Sequence, residues 1–175
     1  MSLGGKTGNS YAKGADMPDI TYRQAQNRDM AFVIELWEAM NKELAAIQQR
    51  YAVSKGGELV WGQWAGKVVD RKEGQIFIAE TNNEVVGCIM AWLPKDNPIY
   101  AARPRGRISD IYVKPEHRGK GVATEMVKLA LGFLEKKGAV AVEVNAPKGI
   151  DALARLWEKA GLEPFAVRYW KKLKK

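Results

Sequence analysis

At 175 residues, with 46% hydrophobic side chains, the chain suits one domain with a real core and leaves little room for a second. No stretch reaches the 18 or so uninterrupted apolar residues of a membrane-spanning helix, and the opening "MSLGGKTGNSYAKGAD" lacks the apolar middle of a secretory signal. Lys and Arg number 28 against 20 Asp and Glu, a net charge of +8 that favours anionic ligands, although Arg168, Lys171, Lys172, Lys174 and Lys175 are read first as a solvated terminal run.

In chain order, residues 1–17 read as a flexible tail and residues 18–175 as a single domain. "ITYR" (20–23) is a short strand, and Asn27 offers an N-cap for a helix of about twenty residues, with Val33, Leu36, Trp37, Met40, Leu44 and Ile47 at helical spacing. "ELVWGQWAGKVVD" (58–70) reads as a second helix, weakened by two internal glycines at about 1 kcal/mol each. "QIFIAE" and "EVVGCIMAWL" form a hairpin around Asn82 and Asn83, residues that tolerate positive φ. The single cysteine, Cys88, lies in that apolar run and reads as an inert buried thiol in a reducing, cytoplasmic setting. A Pro- and Arg-rich loop (94–106) leads to the strand "RISDIYV". A helix follows from about Gly121 to Lys137, stopped by Gly138, then the strand "AVAVEVN". Asp151 caps the helix "ALARLWEKA", which Gly161 ends, and "AVRYWKKL" reads as a closing edge strand. The central hairpin forbids an all-parallel sheet, so the fold class is α/β, a mixed and mainly antiparallel sandwich.

Between strand and helix stands "KPEHRGKG", two glycines among basic side chains. The P-loop pattern is absent. A dinucleotide turn is a near miss, because the sixth position is Thr124 and the preceding strands form a hairpin instead of opening a βαβ unit. A third reading needs only physics: a helix beginning near Gly121 offers unpaired N–H groups to a diphosphate, the glycines let it approach, and Lys114, Arg118 and Lys120 add charge. A plain solvated loop is the alternative from these residues alone.

The longer segment "DIYVKPEHRGKGVATEMVKLAL" resembles the signature of the GNAT superfamily of acetyl-CoA-dependent N-acetyltransferases, whose form is Gln/Arg, two residues, Gly, one residue, Gly/Ala. "YRQAQNRD", "FIAETNNEVVG" and "LWEKAGLEPF" resemble the family's opening turn, central hairpin and late helix, in the right order from about residue 20 to 173. The resemblance implies a sheet flanked by helices on both faces. It implies that backbone groups of Ile111, Tyr112 and Val113 pair with the pantetheine arm of acetyl-CoA. It assigns the pyrophosphate to backbone N–H groups of Arg118, Gly119, Lys120, Gly121, Val122, Ala123 and Thr124, and gives Asn145 a bond to the pantetheine or a part in opening the sheet. Read with both glycines as motif positions, Glu116 stands first, where Gln or Arg is usual.

The implied activity is direct transfer of an acetyl group from acetyl-CoA to a primary amine of a small molecule or peptide. No metal, membrane or nucleic acid is expected, and homodimers are common in the family. The rival is a non-catalytic module of the same fold that docks on nucleic acid or a protein partner. Deprotonating a free alkylamine at pH 7 costs about 4.6 kcal/mol, so a base is sought. Asp110 is the nominee, expected to share a strand face with Ile108 and Tyr112, with pairing to Arg107 as the alternative role and Glu143 as the fallback base. Trp157 stands where the family usually has the acid Tyr, leaving Tyr112, Tyr169 or water to protonate the thiolate. Trp61, Trp64, Trp92 and Tyr100 are expected to line the acceptor site, or else to be core and rim aromatics. Arg103, Arg105 and Arg107 favour an acceptor with a carboxylate or phosphate, and His117 reads as an exposed turn residue.

Overall fold

A computed structural model describes residues 19–95, 99, 101 and 103–173, so the tail expected over 1–17 lies outside the described residues, as does Tyr100. The strands are β1 (Thr21–Gln24), β2 (Gly74–Thr81), β3 (Glu84–Trp92), β4 (Arg105–Val113) and β5 (Ala141–Val144). The helices are α1 (Met30–Ile47), α2 (Gly57–Asp70), α3 (Val122–Lys136) and α4 (Asp151–Lys159). The sheet runs in the order β1-β2-β3-β4-β5. Its first four strands are antiparallel, and β5 lies parallel to β4.

Helices cover both faces. Val33 and Leu36 of α1, with Ala65 and Val68 of α2, bury against Ile76, Ile78, Cys88 and Met90. On the other face α3 buries Val122, Met126, Val127, Ala130 and Leu134, a stripe at helical spacing, and α4 adds Trp157. The hairpin turn has Asn82 at φ 49° and Asn83 at φ 63°, as their side chains allow. Inside α2, Gly62 is useful where it looked only costly: a Cβ there would stand 2.7 Å from Ile34 Cδ1, so the glycine lets the two helices close.

Three local expectations change. Residues Asn27–Asp29 form a 3-10 turn ahead of α1, capped by Gln26, whose N–H donates to Asp29 Oδ2 at 2.7 Å. Asp151 is the first residue of α4, not its cap, and places a carboxylate in the positive first turn. The closing edge strand is absent: "AVRYWKKL" pairs with no strand among the described residues, and Phe165, Val167 and Tyr169 are 76%, 77% and 90% exposed. An alternating β-rich pattern makes a strand only where a sheet edge takes up its backbone bonds.

β4 sets up the site. Opposite Ile89 it carries an extra residue, so the register jumps from Cys88↔Tyr112 to Met90↔Ser109. Asp110 sits in this bulge at φ 53°. The bulge breaks the expected alternation. Ile108 faces α3 while Tyr112 faces α1, so Asp110 shares a face with Tyr112 alone of the two.

Candidate functional site

The last β4–β5 pair is Ile108↔Val144. Beyond it β5 ends, and residues 109–113 of β4 have no strand on that side among the described residues. The sheet opens into a gap beside the second half of β4, beyond the end of the edge strand β5. Lys114 N–H donates to Val86 O at 2.9 Å, toward β3. By the alternation of an antiparallel ladder, Tyr112 also spends its backbone on β3, while Ile111 turns its N–H and C=O to the gap and Val113 its N–H, the Val113 carbonyl accepting from Arg118 Nε. An extended chain laid there would meet strand-like donors and acceptors. Asn145 is exposed directly after β5, at the gap's mouth.

At the end of β4 the chain makes a 3-10 turn, Pro115–His117, then two glycines in the left-handed region, Gly119 at φ 74° and Gly121 at φ 82°. A Cβ at either would meet nothing within 4 Å, so the corner is open in front of the backbone. Gly121 caps α3 without a side-chain bond, leaving the N–H groups of Val122, Ala123 and Thr124 for an outside acceptor. Gly119, Lys120 and Gly121 extend the row, their N–H groups engaged by no backbone bond among the described residues. The Arg118 N–H does not belong to it, since it donates to Pro115 O at 3.1 Å. The helix start also resets the motif. The pattern of Arg, two residues, Gly, one residue, Ala runs Arg118–Gly121–Ala123, and Glu116 falls outside it in the preceding turn.

The side-chain charges expected to crowd the turn are largely spent elsewhere. Arg118 Nη2 holds both carboxylate oxygens of Glu43 at 2.9 Å, its Nε donates to Val113 O at 2.8 Å, and the guanidinium lies 5.2 Å from the Tyr112 ring centre. Lys114 pairs with Glu84. Lys120 Nζ donates to the Glu116 carbonyl at 2.8 Å. What this turn leaves open to an anion is its backbone dipoles. Glu43 went unnoticed in the sequence because it lies 75 residues away, on a helix face with no motif of its own. Burial would raise its pKa, but bonds from Arg118 and Tyr112 outweigh that and hold it below the usual range. Tyr112 donates its hydroxyl to Glu43 Oε1 at 2.7 Å, and burial plus this carboxylate push it up to about 12.

Asp110 points to the α1 side, where Trp37 Nε1 donates to its Oδ1 at 3.0 Å. Burial raises its pKa, with the Ser109, Trp37 and Trp61 dipoles opposing. Ser109 Oγ and Trp61 Nε1 help by proximity only, for neither reaches hydrogen-bond geometry. The alternative pairing of Asp110 with Arg107 does not occur: Arg107 and Arg105 both turn to Glu143, at 3.5 and 2.7 Å. That engagement removes Glu143 as fallback base and removes Arg105 and Arg107 as free anchors for an anionic acceptor. Trp37 stacks on Trp61 with centroids 5.0 Å apart, and Trp64 meets Trp92 edge-on at 5.2 Å. Cys88 is buried beside the bulge, and desolvation, with the Asp110 charge, pushes its thiol up to about 12, where it stays protonated.

Trp157 is buried in the α3 face, and Tyr169 lies on the exposed terminal segment. His117 is half-buried, against expectation, with Nδ1 buried and unpartnered. Arg103 is exposed.

Comparison with known proteins fits this geometry. Residues 33–162 match the model of the Acetyltransferase (GNAT) family. A Methanocaldococcus jannaschii protein named as an uncharacterised N-acetyltransferase is 26% identical over 107 residues, covering 59% of this chain and 46% of its own length. The chain thus spans about half the length of that relative. A predicted acetyltransferase from Clostridium acetobutylicum, crystallised with acetyl-CoA, superposes with a TM-score of 0.71 at 18% identity, over 89% of this chain and 96% of its own. An aminoglycoside acetyltransferase from an uncultured soil metagenomic sample, solved with sisomicin, does so at 0.64 and 18% identity, over 89% and 97%. At such identities the structures show a shared fold.

Proposed function

The chain belongs to the GNAT acetyltransferase family, and from that premise we propose that it transfers an acetyl group directly from acetyl-CoA to a primary amine of a small molecule or peptide. The observation that carries the proposal is the open glycine corner, with nothing within 4 Å of a Cβ at Gly119 or Gly121, set beside the gap in the sheet. When bound, acetyl-CoA supplies an acyl carbon joined to a sulfur leaving group. The N–H groups of Gly119 through Thr124 hold the pyrophosphate, and the Ile111 backbone holds the pantetheine as an added strand, the Val113 carbonyl being already taken by Arg118. Asn145 steadies it at the mouth of the gap.

Asp110, on the far side of the bulge, takes the amine's proton as the nitrogen–carbon bond forms and the carbon–sulfur bond breaks. Val113 N–H donates where negative charge builds on the carbonyl oxygen. Water returns a proton to the thiolate, since Tyr112 is committed to Glu43 and Trp157 has no acidic proton to give. Cys88, protonated and buried, takes no acyl group. A cytoplasmic setting belongs to the same proposal.

Thiol release from acetyl-CoA, followed across a broad panel of primary amines, tests it. Turnover with any of them supports the transferase. Silence across the panel, together with salt-sensitive RNA binding, supports a binding module instead.

A further inference from the structure

At the opposite edge of the sheet from the gap, we propose that the groove between β1 and α3 docks an extended segment of a partner protein, which adds to β1 as a further strand and carries a large apolar side chain flanked by acids. β1 is the end strand of the sheet, with no strand on its outer side among the described residues. Ala25 N–H donates to Ile76 O at 2.8 Å, toward β2. By the alternation of the ladder, Thr21 and Arg23 also spend their backbone on β2, and Tyr22 and Gln24 turn theirs outward. The Gln24 carbonyl accepts one long bond from Arg23 Nη1, at 3.3 Å. The Tyr22 N–H and C=O and the Gln24 N–H remain for an added chain. Such an edge takes a peptide by strand addition, with backbone bonds giving affinity and the pocket beside them selecting alternate side chains.

The groove beside this edge measures about 350 Å³. Its floor is apolar. Phe77 and Phe133 meet edge-on with centroids 6.1 Å apart, and the half-buried Tyr22 and Leu129, 36% exposed, complete it. Lys128 and Lys136 stand on the helical wall with Gly132 between them, at i, i+4 and i+8 on one face. Glycine inside a helix costs about 1 kcal/mol against alanine. A Cβ at Gly132 would meet nothing within 4 Å, so no packing contact requires the glycine, and its bare backbone keeps a notch open in the wall. Among the described residues no carboxylate lines the groove, and Lys136 pairs with no acid. Lys128 meets Glu125 at 2.7 Å, in an exposed pair that an incoming acid can displace at little cost. A third cation, Lys137, lies 5.6 Å from the Phe133 ring centre. Arg23 borders the groove too, but its guanidinium is spent on Asp29 and Glu80. The two wall lysines stand about 12 Å apart along the helix axis, a span an extended chain covers in about four residues. Alternate side chains of an added strand face one way, so the matching pattern is acid, any residue, large apolar residue, any residue, acid.

Three probes test this: the peptide acetyl-Thr-Glu-Thr-Phe-Thr-Glu-Thr-amide, the same peptide with Lys for both Glu, and the same with Ala for Phe. Each is titrated by calorimetry into the full chain, and amide hydrogen exchange of the chain is followed by NMR with and without it. The acidic peptide is expected to bind about tenfold or more tightly than either control. Its binding is expected to slow exchange at Tyr22 and Gln24 by about tenfold or more, and to leave Thr21 and Arg23, already bonded to β2, unchanged. Gly132→Leu, which fills the notch, is expected to weaken the acidic peptide by about tenfold while the domain unfolds at the same or a higher temperature. Lys128→Glu with Lys136→Glu is expected to abolish the preference for the acidic form. Absence of binding, equal affinity for the three peptides, or binding with no change at Tyr22 and Gln24 overturns the proposal. So does slow exchange at Tyr22 and Gln24 in the free chain, since residues 1–18 or a second copy then cover the edge. The native series decides the matter if a variant fails to fold.

Discussion

Asp110 shows how one residue's setting differs from what its type suggests. An aspartate on an exposed strand would ionise in the ordinary carboxylate range. Here a bulge at φ 53° turns it beneath Trp37 and Trp61, and burial raises its pKa against three opposing dipoles. A base works only when deprotonated, so kcat/KM is expected to fall as pH drops through the folded-state pKa. That acid limb lies above the ordinary aspartate range. Asp110→Asn is expected to lower kcat by about 10²- to 10⁴-fold, the usual contribution of a positioned base, and to remove the limb. A pH–rate profile of both proteins, with one amine throughout, checks this; an unchanged limb in the variant assigns it to another group. The residue type and its strand were legible in the sequence. The bulge was not, because Cys88-to-Met90 register is a property of two strands laid side by side.

Among elements, those with a strong period or a capping glycine were readable from the chain alone, and the ones defined by a distant partner were not. The stripe Ala123–Met126–Val127–Ala130–Phe133–Leu134 announces α3, and the paired asparagines announce the hairpin. The terminal "AVRYWKKL" has the composition of a strand but no edge to join. Glu43 and Arg118 clamp α1 to the turn ahead of α3 through an ion pair no local pattern encodes. A similar clamp anchors β1. Arg23 binds Asp29 through two bonds, at 2.6 and 3.0 Å, and Glu80 at 2.7 Å, and Asp29 is 4% exposed. The Arg23 bonds hold the Asp29 carboxyl below its usual range despite burial. A lowered carboxylate pKa stabilises the fold above the unfolded-state value, and the gain is lost as pH falls through the folded one. Arg23→Ala is therefore expected to cost about 3 kcal/mol at pH 7 by stranding a buried charge. The difference from the native protein should shrink as pH drops below the ordinary carboxylate range. Urea unfolding at pH 7 and near pH 3 measures both. A difference that does not change with pH would show that the clamp acts through packing alone.

For the whole molecule, the charge of +8 says less about partners than its size suggests. Arg23, Arg105, Arg107, Lys114 and Arg118 all sit in ion pairs with carboxylates. What the fold offers an anionic cosubstrate is backbone: a parted sheet, a strand edge, and a helix start approached through two left-handed glycines. Gly119→Asp with Gly121→Asp sets carboxylates in that opening. Left-handed φ costs a non-glycine residue about 1–2 kcal/mol, least for Asn and Asp. With no atom within 4 Å to clash, the domain is expected to stay folded. The deciding measurement is calorimetric titration of acetyl-CoA into the native protein and this double variant, with thermal unfolding of each alongside. Saturable binding to the native chain, lost by about a hundredfold or more in a variant that still unfolds cooperatively, is the predicted result. Equal affinity in the two proteins, or no binding to the native one, would contradict it.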